Sequence, residues 1–224
     1  SSAPVGQALA QGTSSHMNLN EVIANLANEA LGGQRGAKAP VHPNDDVNMG
    51  QSTNNSFPSG AKIAVLNQMP ALIDALNALA QALQARATEF APILKAGRTH
   101  LQDAVPITLG QEFAAYASAI RAATARIRQA ADELLELGAG GTAIGTGINT
   151  KPAFRAEIIR ALQGESPHPF RVAADGIHAT QFMSSFAHVS AALRLAAFDL
   201  NQITNNLRLL ASGPNTGLGE IRLP

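Results

Sequence analysis

The chain has 224 residues, of which 46% are hydrophobic and 14% charged, and its formal net charge is zero. This composition predicts a globular protein with a well-buried core and excludes a disordered one. Balanced charge gives no electrostatic case for nucleic acid or an anionic membrane as a partner. The absence of cysteine excludes disulfides and thiolate metal sites.

Neither a membrane-spanning helix nor a signal peptide is expected from the sequence. It has no run of about 18 uninterrupted apolar residues, so no membrane-spanning helix is expected. It also does not begin with a basic stretch followed by an apolar run, so no signal peptide is visible. The expected location is therefore cytoplasmic, or an organelle matrix after processing.

Heptad-spaced apolar residues predict long helices packed nearly parallel or antiparallel. A shorter helix over residues 20–31 is expected to end at Gly32-Gly33. Pro70 falls inside the pattern of residues 58–90 and is expected to kink or split that helix. The three long seams consist of Ile73, Leu76, Ala80, Leu83, Ala87 and Phe90; of Phe113, Ile120, Ile127 and Leu134; and of Phe182, Phe186, Val189, Leu193, Ala196, Leu200, Ile203, Leu207 and Leu210.

The segments between these helices are rich in Gly, Pro, Asn and Ser. Residues 32–60, 138–152 and 164–170 are predicted to be irregular. No strand is predicted, so the fold class is all-α. The apolar faces of the three long helices present much surface that has to be buried, which favours self-association into a larger bundle.

Two polar clusters lie near the start of the chain. In residues 12–21, Asn18 or Asn20 is a candidate helix N-cap, although a helix N-terminus also binds carboxylates. Residues 42–48 have the composition of a turn. A metal site there is disfavoured, since the adjacent Asp45 and Asp46 do not easily point at one ion and no second histidine has ligand spacing.

Two further clusters flank the pattern of residues 58–90. In residues 51–56, Ser56 is a candidate N-cap, but six neutral polar residues exceed the need of one cap and suit an oxygen-rich anionic ligand. In residues 97–104, a structural ion pair explains Arg98 and Asp103. Thr99 and His100 instead combine a hydroxyl with a group that titrates near neutral pH, as general acid–base catalysis requires. The later histidines are interpreted as surface or packing residues, and they are His168, His178 and His188.

Taken in order, these clusters resemble the fumarase/aspartase superfamily, and class II fumarases most closely. The matching segments are residues 12–22, 41–48, 51–54, 97–112, 141–149 and 212–224. The resemblance implies an all-α fold, a homotetramer with a twenty-helix core, and active sites shared by three subunits. Residues 1–48 would then be the remnant of an N-terminal domain, and residues 49–224 an incomplete helical-bundle domain.

The same resemblance implies a lyase that hydrates fumarate reversibly to (S)-malate through an aci-carboxylate intermediate, with no metal or cofactor. His100 would act with a bound water as acid or base. The implied substrate-binding residues are Gly12, Thr13, Ser52, Thr53, Asn54 and Thr99. The implied second dicarboxylate site, outside the active centre, consists of His42, Pro43, Asn44 and Asp45.

The sequence also departs from the family pattern. It lacks the segment Gly-Ser-Ser-Ile-Met-Pro-Gly-Lys-Val-Asn-Pro, which supplies a serine base, so a fragment is expected. Gln11 stands where a substrate-binding serine is usual, and Ala39 where an Arg is usual. His16 replaces a usual Asn, and Asn55 a common Asp. Aspartase, which eliminates ammonia from aspartate on the same scaffold, is the alternative activity, and a non-catalytic helical scaffold is the second alternative.

Overall fold

The computed structural model describes residues 12–223, so Gln11 lies outside the described part. The helices are α1 (Thr13–Ala30), α2 (Thr53–Glu89), α3 (Leu109–Asp132), α4 (Phe154–Gly164), α5 (Gly176–Gln181) and α6 (Ser184–Leu210), with a π-helical turn at Pro43–Val47 and a 3-10 turn at Glu133–Leu135. The strands are β1 (Leu94–Thr99) and β2 (Gln102–Thr108), which form an antiparallel hairpin, and β3 (Glu136–Leu137) and β4 (Arg171–Val172), which pair in parallel. The predicted helical fold class is confirmed, but the prediction that the chain has no strand is wrong.

The described chain forms two compact units, each built from two stretches of sequence. The first unit contains the described residues up to Asn67 together with Asp132–Ser184. The second contains Gln68–Ala131 and the described residues from Ser185 onward. The predicted domain boundary after residue 48 stays a prediction.

The core of the second unit follows the predicted helical seams. On α3, Phe113, Ile120 and Ile127 are buried, as the period-seven pattern predicts. Phe113 meets the ring of Phe90 edge to face, with ring centroids 5.1 Å apart. The α6 seam is only partly confirmed, because Phe182 lies before the helix and is exposed. Other buried seam residues are Leu76, Ala80, Leu83, Ala87, Val189, Ala196, Ile203 and Leu210.

Helix α2 continues through Pro70, so the predicted split at this residue is wrong. Pro70 has no N–H with which to reach the carbonyl of Leu66. However, Pro70 is exposed, whereas Leu66 and Met69 are buried. We attribute the continuity to this burial, which holds the turn despite the missing hydrogen bond.

Helix α1 begins seven residues earlier than the sequence predicts. Asn18 and Asn20 therefore lie inside the helix, and their predicted role as N-caps is wrong. The residue before the helix is Gly12, whose φ of 65° favours glycine. A Cβ atom at Gly12 would lie 2.3 Å from the ring of Phe57, so this position also needs glycine for space.

Helix α2 likewise begins earlier than predicted, inside the segment expected to be irregular. The hydroxyl of Ser52 accepts a hydrogen bond from the backbone N–H of Asn54 at 3.2 Å. Ser52 therefore caps the helix, and the predicted cap at Ser56 is wrong. Several consecutive polar residues offer alternative caps, and the sequence pattern alone does not choose among them.

Within the described part of the chain, α2 is long and apolar enough to cross a membrane by length and composition alone. Its most apolar 18-residue window has a mean hydropathy of 1.3. The criterion of an uninterrupted apolar run did not detect this helix, because polar residues such as Asn67 and Asp74 lie within it. One such helix is weak evidence for a membrane, since core helices of soluble proteins pass the same test.

The fully buried side chain of Asn28 on α1 holds the backbone at Val41. Its Oδ1 accepts from the Val41 N–H at 2.7 Å, and its Nδ2 donates to the Val41 carbonyl at 2.9 Å. We expect Asn28→Ala to lower the free energy of unfolding by about 2–3 kcal/mol, because two hydrogen bonds are lost and the polar groups of Val41 lose their partner. Urea denaturation measures this change.

Asn25 provides a matched control on the same helix. Its Oδ1 accepts one hydrogen bond, from the N–H of the exposed Gly36, at 2.7 Å. Asn25→Ala should cost less than about 1 kcal/mol, because water can replace that single bond. Equal losses for the two variants would show that Asn28 has no special role.

Candidate functional site

The predicted carboxylate-binding residues of the first unit lie at the starts of two helices. They are Gly12 and Thr13 at α1, and Ser52, Thr53 and Asn54 at α2. Thr53 Oγ1 lies 2.8 Å from Nδ1 of His16, so the first turns of the two helices are in contact. The first N–H groups of a helix have no partner within the helix and favour negative charge. The structure thus brings together donors suited to a carboxylate.

The glycine-rich segment of residues 138–149 joins the same cluster and is irregular, as predicted. Asn54 Nδ2 donates to the carbonyl of Ala143 at 2.8 Å. Asn55 Nδ2 donates to the carbonyl of Thr142, whose φ of 56° lies in the left-handed region. Backbone carbonyls of this segment therefore fix the orientation of two amides at the start of α2.

Three buried polar atoms in this cluster have no hydrogen-bond partner among the described residues. They are Nε2 of His16, Oδ1 of Asn55 and Oγ1 of Thr142. An unsatisfied buried group costs about 1–3 kcal/mol. Because hydrogen bonding to a polar ligand or an ordered water removes this cost, the cluster has the chemistry of a small polar binding site.

His100 lies at the tip of the β1–β2 hairpin, which connects α2 with α3 in the second unit. Thr99 pairs with Gln102, and the two residues between them turn the chain. His100 and Leu101 have φ values of 49° and 60°, as in a type I′ turn, which favours Asn and Gly. Both are exposed. This conformation costs roughly 1–2 kcal/mol per residue, and such strain is typical of functional positions.

An ion network connects the hairpin with α3 and with the segment that follows α6. Lys95 Nζ lies 2.8 Å from Glu112 Oε2 and 2.9 Å from Glu220 Oε2. Arg98 Nη1 lies 2.7 Å from Glu220 Oε1. The predicted pair of Arg98 with Asp103 is confirmed at 3.5 Å, but Asp103 is 80% exposed, so this pair is the weaker one. Sequence reasoning missed Lys95, Glu112 and Glu220, because the partners lie far apart in the chain.

Hydrogen bonding outweighs burial in setting the ionisation of this network. Burial alone would raise the pKa of Glu220, but hydrogen bonds from Lys95 and Arg98 bring it below its ordinary value of 4.5. Burial alone would lower the pKa of Lys95, but hydrogen bonds to Glu112 and Glu220 raise it. Burial and the charge of Glu112 raise the pKa of Tyr116, whose hydroxyl donates to Glu112. These groups therefore keep their ordinary ionisation at neutral pH and brace the hairpin.

A cavity of about 550 Å³ lies beside the hairpin, within the second unit. Its lining includes His100, Leu101, Lys95, Arg98, Glu112 and Asn206. Both cations are paired with carboxylates, whereas His100 forms no ion pair or side-chain hydrogen bond within the described part of the chain. This arrangement can transfer a proton to or from a ligand that reaches the hairpin tip.

The predicted second dicarboxylate site forms a capped π-helical turn. His42 Nδ1 accepts from the backbone N–H groups of Asn44 and Asp45 at 3.2 Å each. The N–H of His42 donates to Asp46 Oδ2 at 2.7 Å, and Pro43 follows at the first helical position. An Nδ1 that accepts N–H bonds is unprotonated, so its 3.4 Å approach to Asp45 is not an ion pair in that state. These contacts give the cluster a structural role, and dicarboxylate binding there stays a prediction.

Comparison with known proteins shows the family to which the chain belongs. A family model described as "Lyase" matches residues 7–224. A class II fumarate hydratase from Bradyrhizobium diazoefficiens is 49% identical over 214 residues, and an aspartate ammonia-lyase from Pseudomonas canavaninivorans is 50% identical over the same length. Each alignment covers 95% of this chain and 45% of the relative, so the chain spans about half the length of these relatives.

Solved structures agree with this assignment. The structure described as "fumarate lyase:delta crystallin" from Brucella melitensis bound to cobalt has a TM-score of 0.92 and 48% identity, covering 95% of this chain and 46% of that one. A class II fumarase from Schistosoma mansoni has a TM-score of 0.86 and 33% identity, covering 92% and 47%. The chain belongs to the fumarate lyase superfamily.

Replacement of Glu220 tests the ion network. We expect Glu220→Gln to lower the free energy of unfolding by roughly 1–3 kcal/mol at neutral pH, because among the described residues Lys95 is then paired only with Glu112 and Arg98 only with the exposed Asp103. The folded-state pKa of Glu220 lies below its ordinary value of 4.5. Its contribution is therefore present above that pH and disappears as the pH falls through the lower folded-state value. Urea denaturation across this acid range measures the change.

The exposed pair of Arg86 and Glu89 on α2 provides the control, with both side chains more than half exposed. Glu89→Gln should change stability by less than about 1 kcal/mol. A loss for Glu220→Gln that is no larger, or that does not shrink in acid, would show that the network does not stabilise the hairpin.

Proposed function

We propose that the protein containing this chain hydrates fumarate reversibly to (S)-malate. The observation that carries the proposal is the placement of His100, next to the hydroxyl of Thr99, at a strained and exposed hairpin tip. The neutral donors at the starts of α1 and α2 support the same proposal, because they suit the carboxylates of the substrate. In the assembled protein, both clusters contribute to active sites that three subunits share.

The chemistry requires charge stabilisation and proton transfer. In the dehydration direction, a base removes the proton from the carbon next to a carboxylate, which gives a dianionic aci-carboxylate. The C–O bond to the hydroxyl then breaks, the double bond forms, and a proton converts the departing hydroxide to water. His100, with a bound water, supplies acid–base catalysis. Hydroxyls, amides and helix N-terminal N–H groups stabilise the carboxylate charge.

Aspartate ammonia-lyase activity is the second candidate. It is supported by the 50% identity to an aspartate ammonia-lyase, which matches the 49% identity to a class II fumarate hydratase. In both reactions a proton is removed from the carbon next to a carboxylate, of malate in one and of aspartate in the other, but ammonia replaces water as the leaving group. The adjacent Asp45 and Asp46, together with His100 after Thr99, favour the fumarase.

We also propose that the protein is a homotetramer of the cytoplasm. Helix α1 exposes Leu19, Val22, Ile23 and Leu26, each at least 48% exposed in the single chain. Such a stripe is typical of a surface that another helix covers. The sequence-based prediction of self-association rests on the same physical need to bury apolar surface.

Replacement of His100 tests the proposed catalytic role. We expect His100→Asn in the natural protein to lower kcat for fumarate hydration by roughly 100-fold, the scale of lost general acid–base catalysis. KM should change less, because the carboxylate donors remain. Loss of the fumarate absorbance measures the rate. His178→Asn, the same change at an exposed histidine of α5, should leave kcat unchanged, and near-natural rates for His100→Asn would contradict the role.

A competition between nucleophiles tests the reaction type. With purified natural protein and fumarate, we expect addition of water to exceed addition of ammonia by at least about tenfold, since the site must discriminate between the two leaving groups. Formation of malate and aspartate is measured in parallel. Equal or faster formation of aspartate would establish the aspartase instead. Formation of neither product would favour a helical scaffold without catalysis.

A further inference from the structure

The two ring nitrogens of His16 on α1 have different environments. Nδ1 lies 2.8 Å from Oγ1 of Thr53. Nε2 is buried and has no hydrogen-bond partner among the described residues. The residue as a whole is only 8% exposed. His16 also stands where the family usually carries Asn, so this imidazole is a feature of the present chain.

We propose that Nε2 of His16 donates a hydrogen bond to a carboxylate of the dicarboxylate substrate, so that His16 is a substrate-binding residue that the family comparison does not supply. The inference rests on the proposed function, because it takes the cluster at the starts of α1 and α2 as the carboxylate site. A carboxylate can only accept hydrogen bonds, so its site must supply donors. A buried N–H without a partner is such a donor, and ligand binding removes its desolvation cost.

The contact with Thr53 determines which tautomer this role requires. A neutral imidazole carries one N–H, so a donor at Nε2 leaves Nδ1 as an acceptor. The hydroxyl of Thr53 must then donate to Nδ1. The hydroxyl hydrogen of Thr53 is then bonded to His16 and is not available to the substrate. The implied role of Thr53 changes accordingly: it positions the imidazole, and His16 contacts the carboxylate.

Two substitutions separate the two nitrogens. The amide of an Asn side chain occupies the region of Nδ1, so His16→Asn keeps a group near Thr53 but has none at the position of Nε2. The longer Gln side chain reaches the region of Nε2, so His16→Gln restores a donor there. A structural role for the Thr53 contact alone would tolerate Asn better than Gln, whereas substrate binding through Nε2 requires the opposite order.

The experiment measures binding of succinate, an unreactive four-carbon dicarboxylate, by calorimetry, together with KM and kcat for fumarate hydration. We expect His16→Asn to weaken succinate binding and raise KM by roughly 10-fold, the scale of one hydrogen bond to a charged group, with kcat within about threefold. His16→Gln should stay within about threefold of the natural protein. His168→Asn, at a histidine whose Nε2 lies 2.9 Å from Oδ1 of Asn67, is the control and should bind as the natural protein does.

Thr53 gives an independent test of the tautomer. Thr53→Ser keeps the hydroxyl and should retain binding, whereas Thr53→Val removes it and should weaken succinate binding as His16→Asn does. Unchanged binding for His16→Asn would overturn the proposal. A loss for His16→Gln that equals or exceeds the loss for His16→Asn would also overturn it, because a donor at the position of Nε2 would then not restore binding.

The same measurements separate this inference from the proposed function. If the natural protein forms neither malate nor aspartate but binds succinate through His16, the enzymatic proposal fails and the inference stands. If the protein is active and His16→Asn binds normally, the inference alone fails. If the natural protein forms neither product and binds no succinate, both fail.

Discussion

The ion network around Lys95 and Glu220 is the constraint on which the position of His100 depends. A two-stranded hairpin is only marginally stable alone, and the tip of this one has an unfavourable backbone conformation. Lys95 and Arg98 on β1 bind Glu220 from the segment after α6, and Lys95 also binds Glu112 on α3. The network therefore holds the strand that ends at Thr99, and with it the turn that carries His100.

The same network limits how the protein can bind an anion. Lys95 and Arg98 are committed to carboxylates, so they offer little net charge to a ligand of the hairpin cavity. The cluster at the starts of α1 and α2 relies on hydroxyls, amides and helix N–H groups instead. Neutral donors can bind a dicarboxylate without the large desolvation cost of a buried cation. A site of this kind discriminates by hydrogen-bond geometry more than by charge.

The features that the sequence predicted are those set by the spacing of residues within one helix. The period-seven residues Phe113, Ile120 and Ile127 are buried because one face of α3 repeats at that spacing. The hairpin was missed because its tip is His100-Leu101, without the Asn or Gly that signals such a turn. The unbroken helix at Pro70 shows the same limit, since the burial of Leu66 and Met69, which only the fold reveals, outweighs a local signal.

The site was predictable to the extent that its residues lie close together in sequence. Thr53 and Asn54 stand out in a run of six neutral polar residues, and both lie in the cluster that the structure assembles. His16 was noted only as a departure from the family pattern, because its contact with Thr53 spans 37 positions. The carbonyls of Thr142 and Ala143 carry no side-chain signal at all, so only the fold shows that they orient Asn54 and Asn55.

The two departures from the family pattern in this cluster act in the same direction. Asn55 is almost completely buried, and an Asp in its place would put an anion beside the proposed carboxylate site. That anion would compete with the substrate for donors. His16 in place of Asn provides an additional potential donor at Nε2. Because one change avoids a negative charge and the other supplies a hydrogen bond, together they favour an anionic ligand more strongly than either residue does alone.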